Sequence, residues 1–179
     1  EIIQILYEKK DPRALDPLLA SLKTSTTPDV PASTLAALGQ LADKRSISHV
    51  TNFLTHENRE VVQSAVRTLG KIGDDAVAAM LLVMLKDPKT DSEVVYDLVN
   101  ALGELKHKPA FPELRKLAVN TSKPNYLRAF AVTALGRIGD TRALDVFLTM
   151  LKTEKNSIIR ARVIAARGEM KTEKSVQYP

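Results

Sequence analysis

The sequence predicts an all-α fold, a right-handed α-α superhelical solenoid of about five helix pairs that is incomplete at its ends. Glycines recur every 31 to 33 residues, at positions 39, 70, 103, 136 and 168. Apolar residues around each glycine repeat with helical spacing, and no segment shows the alternation of a β-strand. A period of this length without strands is typical of stacked helix pairs.

The repeat divides the chain into consecutive units, each expected to hold a first helix, helix A, and a second, helix B. Turn-rich segments containing Pro, Asn, Asp and Thr separate several units, and no segment reads as an interdomain linker. The chain is therefore expected to be one array. The predicted units cover approximately residues 1–27, 28–57, 58–88, 89–121, 122–154 and 155–179.

Helix A is predicted from apolar positions nine, four and one residues before the glycine and two after it. These separations place the side chains on one stripe of a helix. The residues four before the glycine are Leu35, Val66, Val99, Val132 and Ile164. A glycine inside a helix costs about 1 kcal/mol relative to alanine. Its recurrence at one position therefore predicts a packing notch, where a neighbouring helix approaches closely.

The end of helix A and the start of helix B are also predicted. Gly73 and Gly139 lie where helix A must end, and each suits a left-handed C-cap. An aspartate is found directly after this point in four units, where its carboxylate can accept N–H groups at the start of helix B. These caps are Asp11, Asp43, Asp74 and Asp140. Helix B then carries a second apolar stripe, as in Leu144, Phe147, Leu148 and Leu151.

Two stretches, residues 11–19 and 134–140, carry a family resemblance. They resemble the HEAT-like repeats first described in phycobilisome chromophore lyases, whose units run close to V-R-x-x-A-x-x-A-L-G-x-I-G-D-x-R-A-L-x-P-L-L. The resemblance covers almost the whole chain and implies that B helices form an inner, concave wall. It is specific for fold and nearly silent on function, since such repeats serve as scaffolds, lyase modules and occasional enzymes.

Composition excludes several classes of site. The chain has no Cys, which excludes disulfides, thiolate metal sites and cysteine nucleophiles and leaves the compartment open. No apolar run reaches the ~18 residues of a membrane span. The chain opens at Glu1 on an apolar helical pattern, so we expect a fragment or a processed chain. The chain has 26 basic and 21 acidic residues, and residues 122–179 carry 11 of the basic and 5 of the acidic ones. This excess of positive charge favours acidic partners at that end.

Histidine placement argues against a metal-dependent enzyme. His49 and His56 are seven residues apart, about 10.5 Å along a helix, too far to ligate one metal. Deoxyhypusine hydroxylases, which are HEAT-repeat enzymes, build a diiron site from repeated His-Glu pairs within helices. This chain has one such pair, His56-Glu57, in a predicted loop. We therefore expect no catalytic residue, no metal and no cofactor, and a protein that is not an enzyme.

Two further functions are alternatives. A nucleic-acid-binding array would use the basic last unit, but no aromatic residue interleaves its cations to stack on bases. Those cations are Arg160, Arg162, Arg167, Lys171 and Lys174. A chromophore-lyase-like module would need an aromatic pocket, but the chain has four Phe, four Tyr and no Trp, and most Phe occupy core positions.

The segment 76–85 has ten apolar residues and no polar face. Either Met80 and Val83 pack against flanking B helices, or they form an adaptable contact patch. The sequence thus predicts a non-catalytic scaffold that binds a protein, or another domain of the same chain, on the concave helix B surface. The expected contact residues are His49, Asn52, Met80, Val83, Glu113 and Lys116.

Overall fold

The computed structural model describes residues 11–24 and 29–176, and all regular structure in these ranges is helical. The helix expected in residues 1–10 lies outside the described residues. Short 3-10 segments cover Pro12–Ala14, Lys44–Ser46, Asn52–Thr55 and Lys108–Ala110. The α-helices are α1 (Leu15–Thr24), α2 (Asp29–Leu41), α3 (Ile47–Thr51), α4 (Arg59–Ile72), α5 (Asp75–Lys86), α6 (Ser92–Glu104), α7 (Phe111–Val119), α8 (Asn125–Ile138), α9 (Ala143–Thr153) and α10 (Ser157–Val176).

These helices confirm the predicted all-α solenoid class. Even-numbered helices carry the repeated glycine and are the A helices, whereas odd-numbered helices are the B helices. Two compact units are distinguished, one ending at Ala101 and the other beginning at Leu102. The finer division into six repeats stays a prediction.

In the first compact unit, A helices pack directly on each other. Helix α2 lies along α4, and α1 packs against α2. Leu35 and Leu38 of α2 are fully buried, as is Leu69 of α4. The hydroxyl of Thr68 donates a hydrogen bond to the carbonyl oxygen of Leu35 at 2.7 Å. This bond and the apolar contacts together fix α4 on α2.

In the second compact unit, α8 packs against both α7 and α10. A Cβ atom at Gly103 would lie 2.8 Å from the Cα of Ala134, and one at Gly136 would lie 2.7 Å from the Cβ of Ala166. Both distances are shorter than real Cβ contacts tolerate. The packing notch predicted from the glycine register is therefore present at Gly103 and Gly136.

Helix α10 departs from the predicted stripe. Ile164, expected in the core, is 60% exposed, whereas Val163 beside it is fully buried. At Leu35 the next A helix, α4, contacts this position through the hydroxyl of Thr68, but no A helix follows α10 among the described residues. A Cβ atom at Gly168 would accordingly meet no atom within 4 Å.

The helix ends confirm one set of predictions and correct another. All four aspartates accept N–H groups as expected, for example Asp74 from Val77 at 3.0 Å. Gly139 is left-handed with φ 69°, but Gly73 has φ −67° and ψ 172°, so the left-handed prediction is wrong there. A Cβ atom at Gly73 would instead lie 2.5 Å from the oxygen of Leu69.

Candidate functional site

Helix α5 presents an apolar surface to solvent. Its buried face holds Val77, Ala78, Leu81 and Leu82, as a helix B stripe requires. On the opposite face Met80 is 45% exposed and Val83 is 69% exposed. Ala76 and Ala79 are exposed beside them. These four residues, 76, 79, 80 and 83, follow helical spacing and form a continuous stripe, which we call the α5 patch. Within the described first unit, Met80 and Val83 are thus not packed away between B helices.

The polar residues predicted to flank this patch in the first unit lie on the preceding helix B. His49 is half-buried on α3, and Asn52 is exposed where the 3-10 segment Asn52–Thr55 begins. The break in this helix B follows its sequence, since Thr51 and Asn52 are poor helix formers. It leaves the Asn52 amide at the surface.

The remaining predicted contact residues belong to the second unit. Glu113 is half-buried and Lys116 is exposed, both on α7. The ammonium group of Lys116 lies 3.4 Å from a carboxylate oxygen of Glu113, an i,i+3 ion pair. Such an exposed pair contributes little to stability and leaves both groups accessible to a ligand.

A groove of about 330 Å³ lies between the B helices α7 and α9 of the second unit. Its walls combine apolar and charged groups, including an Arg142 guanidinium that lies over the Phe111 ring, 4.3 Å from the ring centroid. This cation-π contact holds the guanidinium at the rim. The lining residues are Phe111, Arg115, Val119, Arg142, Asp145, Val146 and Thr149. The sequence pattern did not indicate this groove.

Arg142 is also part of a repeated capping device. Its side chain donates to both carboxylate oxygens of Asp140, at 3.0 and 2.7 Å, while Asp140 accepts the Arg142 backbone N–H. The guanidinium holds the pKa of Asp140 below its usual value. Arg13 acts the same way and lowers the pKa of Asp11 to about 2. We call this two-bond contact between guanidinium and carboxylate the Asp-Arg fork. The spacing Asp-x-Arg in the sequence was a signal for the fork, and it was missed.

A buried ion pair lies at the far end of α9. Arg128 is 4% exposed, pairs with Glu154, and donates from Nε to the carbonyl oxygen of Ala118 at 3.1 Å. Burial alone would raise the pKa of Glu154, but the N–H of Asn156 and the guanidinium of Arg128 together lower it. Arg160 likewise donates to the oxygen of Leu151 at 2.6 Å. These arginines cap helix B and are structural.

The one His-Glu pair does not form a metal centre. His56 follows the 3-10 segment Asn52–Thr55, and its Nδ1 accepts the N–H of Asn58 at 3.0 Å. Asp91, which lines the same pocket as His56, caps a helix start by accepting the N–H of Glu93 at 2.8 Å. Across the described residues, no three His, Asp or Glu side chains are grouped to hold an ion. A diiron site built from His-Glu pairs therefore does not fit the residues described here.

The basic residues considered for nucleic acid have mixed placements. Arg160 and Arg162 are exposed on α10, and Arg167 is half-buried. The side chains of Lys171 and Lys174 lie outside the described residues. Arg160 already caps α9. In the part of the chain that is described, no helix has the length and apolar character to cross a membrane.

The paired helices, the glycine notches and the repeated aspartate caps define an α-α repeat protein. HEAT repeats match residues 15–96 and 89–168. The chain belongs to the HEAT repeat family.

The curated relatives that match this chain are named for an enzymatic activity, which the repeat family alone does not indicate. The chain is 25% identical to the deoxyhypusine hydroxylase of Chaetomium globosum over 179 residues, covering 96% of this chain and 50% of that protein. It is also 25% identical to the Neosartorya fischeri enzyme of the same name over 184 residues, covering 98% and 53%. The chain thus spans about half the length of the curated relatives it matches.

Solved structures agree on the fold. The phycocyanin lyase complex from a Nostoc species matches with a TM-score of 0.70 at 22% identity, covering 88% of this chain and 65% of that one. Human deoxyhypusine hydroxylase in complex with glycerol matches with a TM-score of 0.51 at 16% identity, covering 93% and 77%. At these identities the likeness concerns the fold alone.

The comparisons correct the functional prediction. We expected a non-catalytic scaffold, with nucleic-acid-binding and lyase-like alternatives, and a protein that is not an enzyme. The curated relatives are enzymes, so this expectation is wrong. Its physical weakness is that helix patterning reports how a repeat packs, and chemistry depends on a few side chains that packing does not specify.

Proposed function

We propose that this chain is a HEAT-repeat part of an enzyme that modifies a protein, and that its helix B surface binds that protein. The observation that carries the proposal is the α5 patch, an exposed apolar stripe on a helix B. The curated relatives, deoxyhypusine hydroxylases, supply the enzymatic part of the proposal. The phycocyanin lyase of similar fold is itself a complex of two proteins, which is the reason for testing a protein as the bound molecule.

The α5 patch has the chemistry of a protein contact. Met80 has a flexible, polarizable side chain that adapts to an irregular partner surface. Val83, at 69% exposure, offers a large apolar area whose burial on binding is favourable. Exposed apolar stripes of this kind mark interaction surfaces more often than isolated apolar residues do.

In each unit, we also assign a binding role to the polar contact residues that the sequence predicts. In the first unit, His49 and Asn52 would accept or donate hydrogen bonds beside the apolar contact. In the second unit, Glu113 and Lys116 would offer one charge of each sign. Within the first unit, polar groups beside an apolar contact match the usual arrangement of a protein interface.

We assign binding to the described residues, and no reaction step. The relatives' name indicates oxygen insertion into deoxyhypusine as the reaction to test. The His56-Glu57 pair does not fit the metal centre expected for that chemistry, since no three His, Asp or Glu side chains are grouped together among the described residues. The proposal therefore assigns this chain to recognition of the protein substrate.

The test uses the intact gene product with deoxyhypusine, supplied both free and within a protein, and follows gain of one oxygen atom by mass spectrometry. The patch variant is Met80→Glu with Val83→Glu. The matched control is Gln40→Glu with Ser92→Glu, which adds the same charge at exposed positions of A helices. Loss of an interface hot spot worth about 2 kcal/mol would raise KM for the protein substrate by roughly 30-fold with kcat unchanged.

The outcomes separate the two halves of the proposal. Absence of any oxygen gain refutes the hydroxylase activity. Oxygen gain with equal KM values for the patch variant, the control and the parent refutes the α5 patch as the binding surface. A raised KM for the free amino acid as well as for the protein would contradict recognition of a protein surface.

A further inference from the structure

Arg115 of α7 is exposed in the groove between α7 and α9, and its guanidinium has no hydrogen-bond or ion-pair partner among the described residues. Arg142, the other arginine of the groove, differs because its guanidinium is held by Asp140 and lies over the Phe111 ring. An arginine presents five N–H donors in a planar fork that matches a carboxylate. Of the two arginines, Arg115 is therefore the one available to a ligand.

The α7 wall places this guanidinium between apolar side chains. Phe111 and Val119 lie four residues before and four residues after Arg115, so the three side chains share one face of the helix. Val119 is 45% exposed, whereas Phe111 is buried. A ligand group that reaches Arg115 therefore meets an exposed apolar side chain one helical turn away.

The α9 wall uses the same helix B positions as the α5 patch. The patch residues lie two, five, six and nine residues after the capping Asp74. Residues at the same distances after the capping Asp140 line the groove: Arg142, Asp145, Val146 and Thr149. On α5 these positions are apolar and exposed, and on α9 three of the four are polar and exposed. The groove is thus a polar counterpart of the α5 patch, suited to a ligand that forms hydrogen bonds.

Two side chains of the α9 wall can hold a peptide backbone. The Thr149 hydroxyl donates to the backbone oxygen of Asp145 at 2.9 Å, which orients it and leaves its own oxygen able to accept a hydrogen bond. The Asp145 carboxylate is an acceptor only. An extended peptide offers a backbone N–H donor at each residue other than proline. The α9 wall therefore supplies acceptors for a peptide backbone across the groove from Arg115.

The charge around the groove favours an acidic ligand. Residues 108–119 and 140–153, which include both walls, carry five basic and three acidic residues. Two of the acidic residues are already paired, Glu113 with Lys116 and Asp140 with Arg142. An excess of positive charge attracts acidic groups to a surface. Charge complementarity therefore favours a carboxylate as the group that pairs with Arg115.

We infer that this groove binds an extended peptide segment in which an acidic residue lies close to an apolar one. The carboxylate pairs with the Arg115 guanidinium, the apolar side chain packs on Val119, and backbone N–H groups donate to Asp145 and Thr149. The inference rests on the proposed function in taking the bound molecule to be a protein. It adds the chemistry of the segment that the helix B surface recognises.

The test measures peptide binding to the intact gene product by fluorescence anisotropy. The probes are fluorescein-labelled peptides of about ten residues in which one Glu and one Leu are separated by zero to three Ser residues. Matched sets carry Gln or Lys in place of the Glu. The best Glu peptide should bind the parent at least about tenfold more tightly than its Gln counterpart, because the Gln peptide lacks the charge-assisted hydrogen bonds to the guanidinium.

Three variants assign this preference to Arg115. Arg115→Gln should remove the preference for Glu over Gln, and Arg115→Glu should make the Lys peptides bind more tightly than the Glu peptides. Lys123→Gln, which removes the same charge from an exposed loop position, should keep the preference of the parent. Because Arg115 is exposed and has no partner among the described residues, its variants are expected to fold, and circular dichroism checks this.

Equal affinities of the parent for Glu and Gln peptides, or binding of neither, overturn the inference. An equal loss of preference in Arg115→Gln and Lys123→Gln also overturns it. Displacement of the Glu peptide by inorganic phosphate or free glutamate at the concentration of the peptide would identify a small-anion site instead. Peptide binding is measured without turnover, so absence of oxygen gain would refute the proposed function and leave this inference standing.

Discussion

Replacing Gly136 by alanine should destabilise the protein, although alanine is the better helix former. The gain in helix propensity is about 1 kcal/mol. The added Cβ would lie 2.7 Å from the Cβ and 3.1 Å from the Cα of Ala166, so α8 and α10 must move apart. Overpacking of this kind costs about 1–3 kcal/mol. We expect a net loss of up to about 2 kcal/mol, or a Tm lower by up to roughly 8 °C for a chain of this size.

A matched control and a rescue accompany this substitution. Gly168→Ala adds the same methyl group where no described atom lies within 4 Å, so it should stabilise by up to about 1 kcal/mol. Ala166→Gly removes the nearest atom and should recover part of the loss in the double variant. Urea unfolding measures the parent, the three single variants and the double variant. If Gly136→Ala and Gly168→Ala shift the free energy of unfolding in the same direction, the notch interpretation is refuted.

Three further outcomes are expected. Glu154→Gln should cost about 3 kcal/mol at neutral pH, because Arg128 is left buried without its counter-charge. The folded-state pKa of Glu154 is lowered, so the stability that its charge contributes is lost as pH falls below the ordinary glutamate value. In urea unfolding, the free energies of unfolding of the parent and of the variant should therefore converge at low pH. Arg142→Met should raise the pKa of Asp140 toward its usual range, as measured by NMR titration; an unchanged pKa would contradict the fork. Met80→Glu with Val83→Glu should alter unfolding free energy by less than about 0.5 kcal/mol per site, and a large loss would indicate burial.

The repeat and its core could be predicted from sequence because packing imposes a strict period. A position that touches the next A helix must be apolar, and the one that meets a backbone must be glycine. Leu35, Val66 and Val132 follow this rule and are fully buried. The rule fails at Ile164, because burial depends on a neighbouring helix that the period alone does not supply.

The helix ends were less predictable. At the position three residues after the repeated glycine, two residues other than glycine adopt a left-handed backbone. They are Ala42, with φ 58°, and Lys106, with φ 51°. Gly73 occupies the same position and is extended. A left-handed conformation costs a non-glycine residue about 1–2 kcal/mol, which the surrounding packing can offset. Residue type therefore indicates where helix A ends, and tertiary contacts decide how it ends.

The candidate site was predictable only in part, and α5 shows why. Sequence periodicity indicated an unusual helix without a polar face, and a helix apolar all round is normally buried. A helix B of a two-layer repeat contacts its core through one face, however, and α5 buries Val77, Ala78, Leu81 and Leu82 in that way. The exposed Met80 and Val83 add nothing to this contact and carry the cost of apolar surface in water. Stability of the described fold does not account for them, which is why we propose them as a contact surface for a protein.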